Sequence, residues 1–287
     1  MSNHTLKNIL IPVDFSENSW NALSYTVALY KKQACNFYIL HVADIKDQPV
    51  DAARLFPILA DQRDRTTFDK KEILDNFLIK ACRHFETEDH HFYAQMEYGG
   101  LIDAVRKQLS EKHIDLIAMG TTGIDNLKKK IIGSNTGAMI TRVRCNTLVV
   151  PENAKFKPLQ RITFPTDFNI FYTPKVLRSL SEILDVSSAH LNVVHVSGSQ
   201  LDLTDGQKTN KNYLFDYLGE VFPKKHDFNH IQDKKIVNAI QDFVLENKIG
   251  MITMIARNLN FLQQLFFDSK VETMSFHTTV PMLVIHE

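Results

Sequence analysis

Residues 119–136 have the sequence Met-Gly-Thr-Thr-Gly-Ile-Asp-Asn-Leu-Lys-Lys-Lys-Ile-Ile-Gly-Ser-Asn-Thr, and they decide how the fold of this chain is interpreted. The apolar run at 116–119 predicts a buried strand, and a helical pattern begins behind Gly133. Glycine lets the backbone approach a ligand closely and accepts positive φ. A helix start attracts phosphate because its first N–H groups are free and carry partial positive charge. The stretch therefore predicts a phosphate cradle between a strand end and a helix start.

The spacing of the glycines is specific. Two residues separate Gly120 from Gly123, and nine separate Gly123 from Gly133. Three side chains with hydrogen-bond donors follow: Ser134, Asn135 and Thr136. The pattern is neither a P-loop nor a dinucleotide fingerprint, because neither Gly-Lys-Ser/Thr nor Gly-x-Gly-x-x-Gly occurs. The alternative is a surface loop in which the glycines only form turns.

Composition indicates an ordinary globular protein with two domains. The chain has 287 residues, of which 44% are apolar and 23% charged. Its 33 basic and 33 acidic residues give a formal net charge of zero, which does not favour nucleic acid as a general partner. No apolar run approaches the roughly 20 residues that a membrane span needs. The N-terminus is polar and leads straight into a strand, so a signal peptide is not expected.

The three cysteines are scattered along the chain without metal-binding spacing: Cys35, Cys82 and Cys145. Their apolar or strand-like contexts favour buried, reduced thiols. A cytoplasmic location is therefore expected.

An internal repeat is the second main feature of the sequence. Residues 9–15, Ile-Leu-Ile-Pro-Val-Asp-Phe, recur at 162–168 as Ile-Thr-Phe-Pro-Thr-Asp-Phe, at an offset of 153. Leu-His-Val at 40–42 recurs as Val-His-Val at 194–196, at an offset of 154. A repeat this long indicates duplicated domains rather than a solenoid.

The end of each copy is marked by a further match. Leu-Val-Val at 148–150 corresponds to Leu-Val-Ile at 283–285, at an offset of 135. A polar, proline-bounded stretch at 151–158 predicts the linker. The predicted domains are residues 1–153 and 159–287.

Strands and helices alternate in both halves. Apolar or β-branched runs predict strands at 6–13, 36–42, 92–96, 116–119, 147–150, 161–166, 191–196, 251–255 and 282–285. Helical patterns follow Ser16, Thr66, Gly100, Gly133 and Thr173, and a further one covers 237–244. Residues 43–65 and 197–211 are predicted as loops. Such alternation favours parallel pairing in doubly wound sheets, which bind ligands at the carboxyl ends of their strands. Five residues lie at such ends: Pro12, Val13, Asp14, Val42 and Gly120.

The glycine spacing resembles the ATP-binding signature of the universal stress protein family, and all fixed positions of that signature are present. The resemblance covers nearly the whole chain as a tandem pair. It implies an α/β fold of two tandem doubly wound, Rossmann-like domains, each with a five-stranded parallel sheet flanked by helices. It also implies ATP binding, with magnesium held through the phosphates.

The resemblance assigns roles to particular residues. Asp14 matches the family position that contacts the nucleoside, although Asp14 could instead cap the first helix. Val42 matches the position whose backbone meets the base edge, although it could be ordinary core. The implied nucleotide-binding set is Pro12, Val13, Asp14, Val42, Met119, Gly120, Gly123, Gly133, Ser134, Asn135 and Thr136. One departure is Phe15, which stands where the family often has glycine.

A lysine run and two pairs of histidines are interpreted as surface features rather than as binding sites. The lysine run at 128–130 could attract a triphosphate, but a solvated face is the default. His226 and His230 have a spacing that suits two ligands on a helix, and His90 and His91 are adjacent. No third ligand is evident, so all four are interpreted as surface histidines and no metal site is predicted.

The function expected from these features is that of a nucleotide-binding stress-response or signalling module, with ATP hydrolysis weak or absent. No catalytic triad, nucleophile elbow or catalytic lysine motif occurs. The alternatives are a weak ATPase or nucleotidyl-transfer enzyme on a related fold, and a scaffold that binds partners without nucleotide. The last strands of the two halves are expected to pair within the chain, and a homodimer stays open.

The second half lacks the signature. A shift of 135 places Gly120 on Ile255, Gly123 on Asn258, Gly133 on Asp268 and Ser134 on Ser269. Isoleucine is poorly suited to close approach, and a carboxylate would repel phosphate. Only the first domain is therefore expected to bind ATP.

Overall fold

A computed structural model describes residues 6–47, 60–85, 87–121, 134–198, 202–257 and 280–287, without the side chains of 60–69 and 134. The chain divides into two compact units, Met1–Gly120 and Thr121–Glu287. This division falls before the predicted linker, and the predicted domain limits stay a prediction.

The first unit alternates strands and helices. Its strands are β1 (Lys7–Pro12), β2 (Cys35–Ala43), β3 (His90–Tyr98) and β4 (Leu116–Thr121, whose last residue opens the second unit). Its helices are α1 (Glu17–Leu29), α2 (Ala60–His84) and α3 (Leu101–Lys112), with a 3₁₀ turn at Ile45–Asp47. The strand order is β3-β2-β1-β4, and these neighbours pair in parallel.

The central strand of this unit is apolar because it is enclosed. Ile9, Leu10 and Ile11 in β1 are all fully buried. Strands of parallel sheets are covered on both faces, so their sequences are continuous apolar runs rather than alternating ones. The continuous apolar run made β1 predictable from the sequence. Burial on both faces also fixes the position of its carboxyl end, which lies next to Asp14.

The second unit contains the remaining elements. Its strands are β5 (Asn146–Pro151), β6 (Arg161–Pro165), β7 (His190–Ser197), β8 (His226–Gln232), β9 (Met251–Ile255) and β10 (Met282–Ile285). Its helices are α4 (Ser134–Arg142), α5 (Pro174–Ser187), α6 (Asp205–Val221) and α7 (Ile236–Glu246). The strand order is β5-β10-β9-β6-β7-β8. All neighbours from β10 to β8 are parallel, which confirms an α/β fold built on mostly parallel sheet.

The exception is the antiparallel pair of β5 and β10. Thr147 lies opposite Val284, and Val149 opposite Met282. Ile140 of α4 joins the same apolar cluster as Val149, Met282 and Val284. The last strands of the two sequence copies are thus neighbours, while the pairing of two whole domains stays a prediction.

Four sequence predictions about elements were wrong. Helix α2 begins at Ala60 rather than 66, and α6 begins at Asp205, inside the stretch predicted as loop. Strand β8, which contains both His226 and His230, was not predicted. Gly120 does not end its strand, because β4 continues to Thr121.

The start of α6 has a clear physical cause. Thr204 accepts a hydrogen bond from Gln207 N, and the Gln207 side chain accepts one from Thr204 N at 2.9 Å. This capping box satisfies two backbone donors at the helix start. Its sequence signature, Thr-x-x-Gln, was present in the chain.

Candidate functional site

The carboxyl ends of β1 and β2 lie at one edge of the first unit's sheet. Val13 N donates to Leu40 O at 2.8 Å, which extends the β1–β2 ladder by one bond. Val13 is buried, whereas Pro12 and Val42 are half-buried. Asp14 follows directly and is exposed. The structure thus brings together the predicted residues Pro12, Val13, Asp14 and Val42 at the edge where parallel sheets bind ligands.

Asp14 orients the start of α1 indirectly. Its Oδ1 accepts hydrogen bonds from Ser16 N at 3.0 Å and Ser16 Oγ at 2.5 Å. Ser16 is the residue that caps the helix, through the bond from Ser19 N to its Oγ at 3.2 Å. Burial disfavours the charged form of Asp14, but hydrogen bonds, the largest of them from Ser16, together outweigh burial and lower its pKa. The carboxylate is therefore ionised and exposed at the sheet edge.

Phe15 has a backbone conformation that side chains rarely adopt. Its φ is 66°, in the left-handed region, which explains why glycine suits this position. The Phe15 ring stacks on His41, with centroids 4.3 Å apart and planes at 29°. His41 Nδ1 donates to Val13 O at 3.0 Å, since a carbonyl can only accept. The aromatic pair thus ties the loop after β1 to the end of β2.

Gly120 is required by packing. A Cβ atom at this position would lie 2.6 Å from Asn18 O and 2.9 Å from Asn18 Oδ1. Real Cβ atoms do not approach that closely, so only glycine allows β4 to pass the start of α1. Sequence reasoning missed Asn18, because nothing in the local pattern signals a contact across 102 residues.

The remaining predicted cradle residues are placed as follows. Met119 is 6% exposed within β4. Helix α4 begins at Ser134, as predicted, with Asn135 exposed and Thr136 only 2% exposed. Gly123, Gly133 and the lysine run 128–130 lie outside the described residues. The start of α4 fits the expected role in binding phosphate, because a helix N-terminus carries partial positive charge.

A similar arrangement recurs at the end of β6. Thr166 N donates to Val194 O at 2.9 Å, as Val13 N does to Leu40 O. Phe168 has a φ of 58° and stacks on His195 at 5.5 Å. His195 Nδ1 donates to Thr166 O at 2.9 Å. The loop geometry therefore resembles that of the first unit in its backbone bond, its left-handed residue and its aromatic pair.

Helix α6 covers this second loop. Gln207 Nε2 donates to Asp167 O at 2.7 Å, and Asn210 Nδ2 donates to Phe168 O at 2.9 Å. The Asp167 carboxylate accepts from Asn169 through both oxygens. Phe168 is fully buried, whereas Phe15 is only partly so. Backbone carbonyls at this edge are thus occupied by the chain's own side chains.

The predicted surface histidines and buried cysteines need corrections. His90 is 5% exposed, with Nε2 3.2 Å from both Tyr30 O and Gln33 O. His91 is exposed, while His226 and His230 are half-buried on a strand. Within the described part of the chain, no group of three or more His, Cys, Asp or Glu side chains could hold a metal. Cys82 is exposed, contrary to prediction, whereas two free cysteines are buried as expected: Cys35 and Cys145.

Comparison with known proteins identifies the family. Residues 5–151 match the family model described as the universal stress protein family. The chain is a universal stress protein. This confirms the resemblance on which the site was predicted. Over the described ranges, this universal stress protein has no helix with the length and apolar character needed to cross a membrane.

Relatives and solved structures agree with this assignment. A curated relative from Staphylococcus haemolyticus, named as a universal stress protein, is 27% identical over 147 residues, covering 51% of this chain and 85% of the relative. A universal stress protein structure from Archaeoglobus fulgidus aligns with a TM-score of 0.69 at 17% identity, covering 100% of this chain and 99% of the other. One from Pseudomonas aeruginosa aligns at 0.55 and 12% identity, covering 98% and 94%. At these identities the structural alignments show a shared fold.

Proposed function

We propose that this universal stress protein binds ATP through its first half and acts as a nucleotide-dependent stress-response or signalling module in the cytoplasm. The observation that carries the proposal is the complete glycine spacing, Gly120, Gly123, Gly133 and Ser134, in a chain that belongs to the family. Strand β4 leads into this stretch and α4 begins at its last position. A strand, a glycine-containing loop and a helix start are the setting that a phosphate site requires.

The proposed roles follow from chemistry. The ionised carboxylate of Asp14 accepts from the ribose or base, and the backbone at Val42 meets the base edge. The glycines admit the ribose and phosphates, while Ser134, Asn135 and Thr136 belong to the phosphate end. Magnesium binds through the phosphates rather than through protein ligands. The described residues fit a nucleotide in two respects: Asp14 is exposed, and the start of α4 carries the partial positive charge of a helix N-terminus.

We also propose that the second half does not bind ATP. Ile255, which corresponds to Gly120, lies within β9 and is 3% exposed. Gln207 and Asn210 occupy the carbonyls of the loop after β6. The other corresponding positions, Asn258, Asp268 and Ser269, lie outside the described residues. The sequence lacks glycine at all three glycine positions of the signature.

Calorimetry on the full chain tests both statements. Wild-type protein should bind one ATP per chain in the presence of magnesium. Gly133→Asp should abolish binding, because a carboxylate fills the cradle and repels phosphate. Ser269→Ala, at the corresponding position of the second half, is the matched control and should bind normally.

Two results would contradict the proposal. Unchanged ATP affinity in a folded Gly133→Asp variant would overturn the assigned site, and a stoichiometry of two would overturn the restriction to the first half. Turnover of ATP in the same samples would identify an ATPase instead of a binding module.

The assembly we propose has two domains, 1–153 and 159–287, that pair through β5 and β10. The antiparallel register of Val149 and Met282 supports this arrangement. A short apolar last strand that would otherwise be an open edge gains a partner in this way. Separately expressed halves that fail to associate would contradict it. Sedimentation of the full chain would show whether a homodimer forms as well.

A further inference from the structure

Lys211 of α6 and two histidines near the carboxyl ends of β7 and β8, His195 and His230, form a group that we call the basic corner. Lys211 of α6 places its Nζ 3.4 Å above the ring of Phe228. The same ammonium is 6.0 Å from the Phe168 ring and 5.9 Å from the Phe215 ring. Aromatic faces attract a cation and hold it in position. Lys211 is therefore fixed toward the sheet, while it remains half-buried.

Two histidines lie in the same corner. His195 of β7 and His230 of β8 are register partners, and their rings stack with centroids 6.0 Å apart. Ser197 Oγ is 2.8 Å from His230 Nε2, which fixes the orientation of that ring. His195 is 6% exposed, whereas His230 is half-buried and can be reached from outside.

Lys211 and Lys208 of α6 differ in their ion pairs. Among the described residues, no carboxylate lies within ion-pair distance of Lys211, whereas Lys208, one turn earlier, is 3.3 Å from Asp205. Burial lowers the pKa of Lys211. Burial, His195 and Lys211 together lower the pKa of His230. Cationic groups close together in a partly dry place repel one another, and an anion would relieve that repulsion.

The corresponding register position in the first half holds an uncharged side chain. The register partner of His41 is Met96, which corresponds to His230 but carries no charge. The basic corner thus occurs in the half that lacks the glycine signature. It also lies at the carboxyl edge of the parallel strands, where such sheets bind ligands.

We propose that the second half binds a small anion, a carboxylate or a phosphate group, between Lys211 and His230. Lys211 supplies a fixed ammonium, and His230 donates a hydrogen bond once it is protonated. His195 packs behind His230, and its ring is held in place because its Nδ1 donates to Thr166 O. Binding should therefore strengthen as the pH falls and should raise the pKa of His230.

The test follows the imidazole resonances of His230 by NMR in the full-length, isotope-labelled protein. Sodium phosphate and sodium acetate are titrated separately at pH 6 and pH 8, with ionic strength held constant by chloride. At least one anion should give a saturable shift, stronger at the lower pH. Phosphate alone would identify a phosphate site, acetate alone a carboxylate site, and both a general acidic-group site.

Variants separate this site from its alternatives. Lys211→Met should weaken binding at least about tenfold, whereas Lys208→Met, whose ammonium is paired with Asp205, should have no effect. His230→Gln should remove the pH dependence, which is followed by calorimetry. The response at His230 should persist in Gly133→Asp, which removes the proposed nucleotide site.

Three results would overturn the inference. The first is the absence of a saturable response to either anion up to about 10 mM. The second is equal loss of binding in Lys211→Met and Lys208→Met. The third is disappearance of the response in Gly133→Asp, which would place the anion in the first half.

Discussion

The ring of Phe15 stacks on the ring of His41 with centroids 4.3 Å apart, while the Phe15 backbone holds a φ of 66°. A left-handed conformation costs an ordinary residue about 1–2 kcal/mol. The stack and the bond from His41 Nδ1 to Val13 O oppose that cost. In the loop that contains Asp14, the backbone conformation of Phe15 is therefore destabilising and the aromatic contact with His41 is stabilising.

Substitutions at Phe15 separate these two effects. Phe15→Ala loses the stack and keeps the strain, whereas Phe15→Gly loses the stack and relieves the strain. We expect the alanine variant to be less stable than the glycine variant by about 1 kcal/mol, measured by urea denaturation. Phe168, with a φ of 58°, should show the same order. Equal stability of the two variants at both positions would show that strain is absent.

Gly120 should tolerate no side chain. In Gly120→Ala the new Cβ would meet Asn18 O, and relieving that clash should cost about 1–3 kcal/mol of unfolding free energy. Gly219 is the control, because it lies in α6 with nothing within 4 Å of its Cβ position. Gly219→Ala should stabilise by about 0.5–1 kcal/mol. A neutral Gly120→Ala would contradict the close approach of β4 to α1.

Much of the sheet was predictable because its inner strands are enclosed. Strand β1 was predicted at 6–13 and spans Lys7–Pro12, and β6 and β9 were found in the same way. Their apolar runs follow directly from burial on both faces. The parallel topology also predicted that one edge of the sheet holds Pro12, Val13, Asp14 and Val42.

The elements that were missed lack that signal. Strand β8 stands last in the strand order, and its sequence, His-Asp-Phe-Asn-His-Ile-Gln, is largely polar. Helix α6 buries only Leu214 and Leu218 among its residues, so its apolar stripe is too narrow to stand out. The contact of Gly120 with Asn18 arises from tertiary packing, which no local pattern encodes. The basic corner was missed for the same reason, because it needs both β8 and α6 to be placed.

Asn146 connects three elements of the second unit. Its Oδ1 accepts from His286 N at 2.9 Å, and its Nδ2 donates to Ser179 Oγ of α5 at 2.9 Å. Asn146→Ala leaves both partners without their hydrogen bonds and should cost about 1–3 kcal/mol in urea denaturation. Ser179→Ala removes one of the two bonds and should cost less. A larger loss in Ser179→Ala would show that the bond to His286 contributes little.

His286 lies next to the same network and should make stability depend on pH. The ring is 7% exposed, and its Nε2 has no hydrogen-bond partner within the described ranges. Burial, with smaller effects from Lys175 and Arg144, lowers its pKa to about 4. The unfolded chain binds the proton at about pH 6.5, so it holds more protons than the folded chain between these values. The contribution of a neutral His286 is therefore complete above about pH 6.5 and is lost as the pH falls toward 4.

Replacing this histidine tests the argument. Between pH 7 and pH 5, His286 alone should reduce the unfolding free energy by on the order of 2 kcal/mol. His286→Gln cannot titrate, so its stability should fall less over the same interval, measured by urea denaturation at each pH. The backbone bond from residue 286 to Asn146 Oδ1 is kept in this variant, which separates titration from loss of the network. His91→Gln, at an exposed position on β3, is the control and should follow the wild type. If both variants lose as much stability as the wild type, the acid sensitivity arises elsewhere and His286 is protonated without cost.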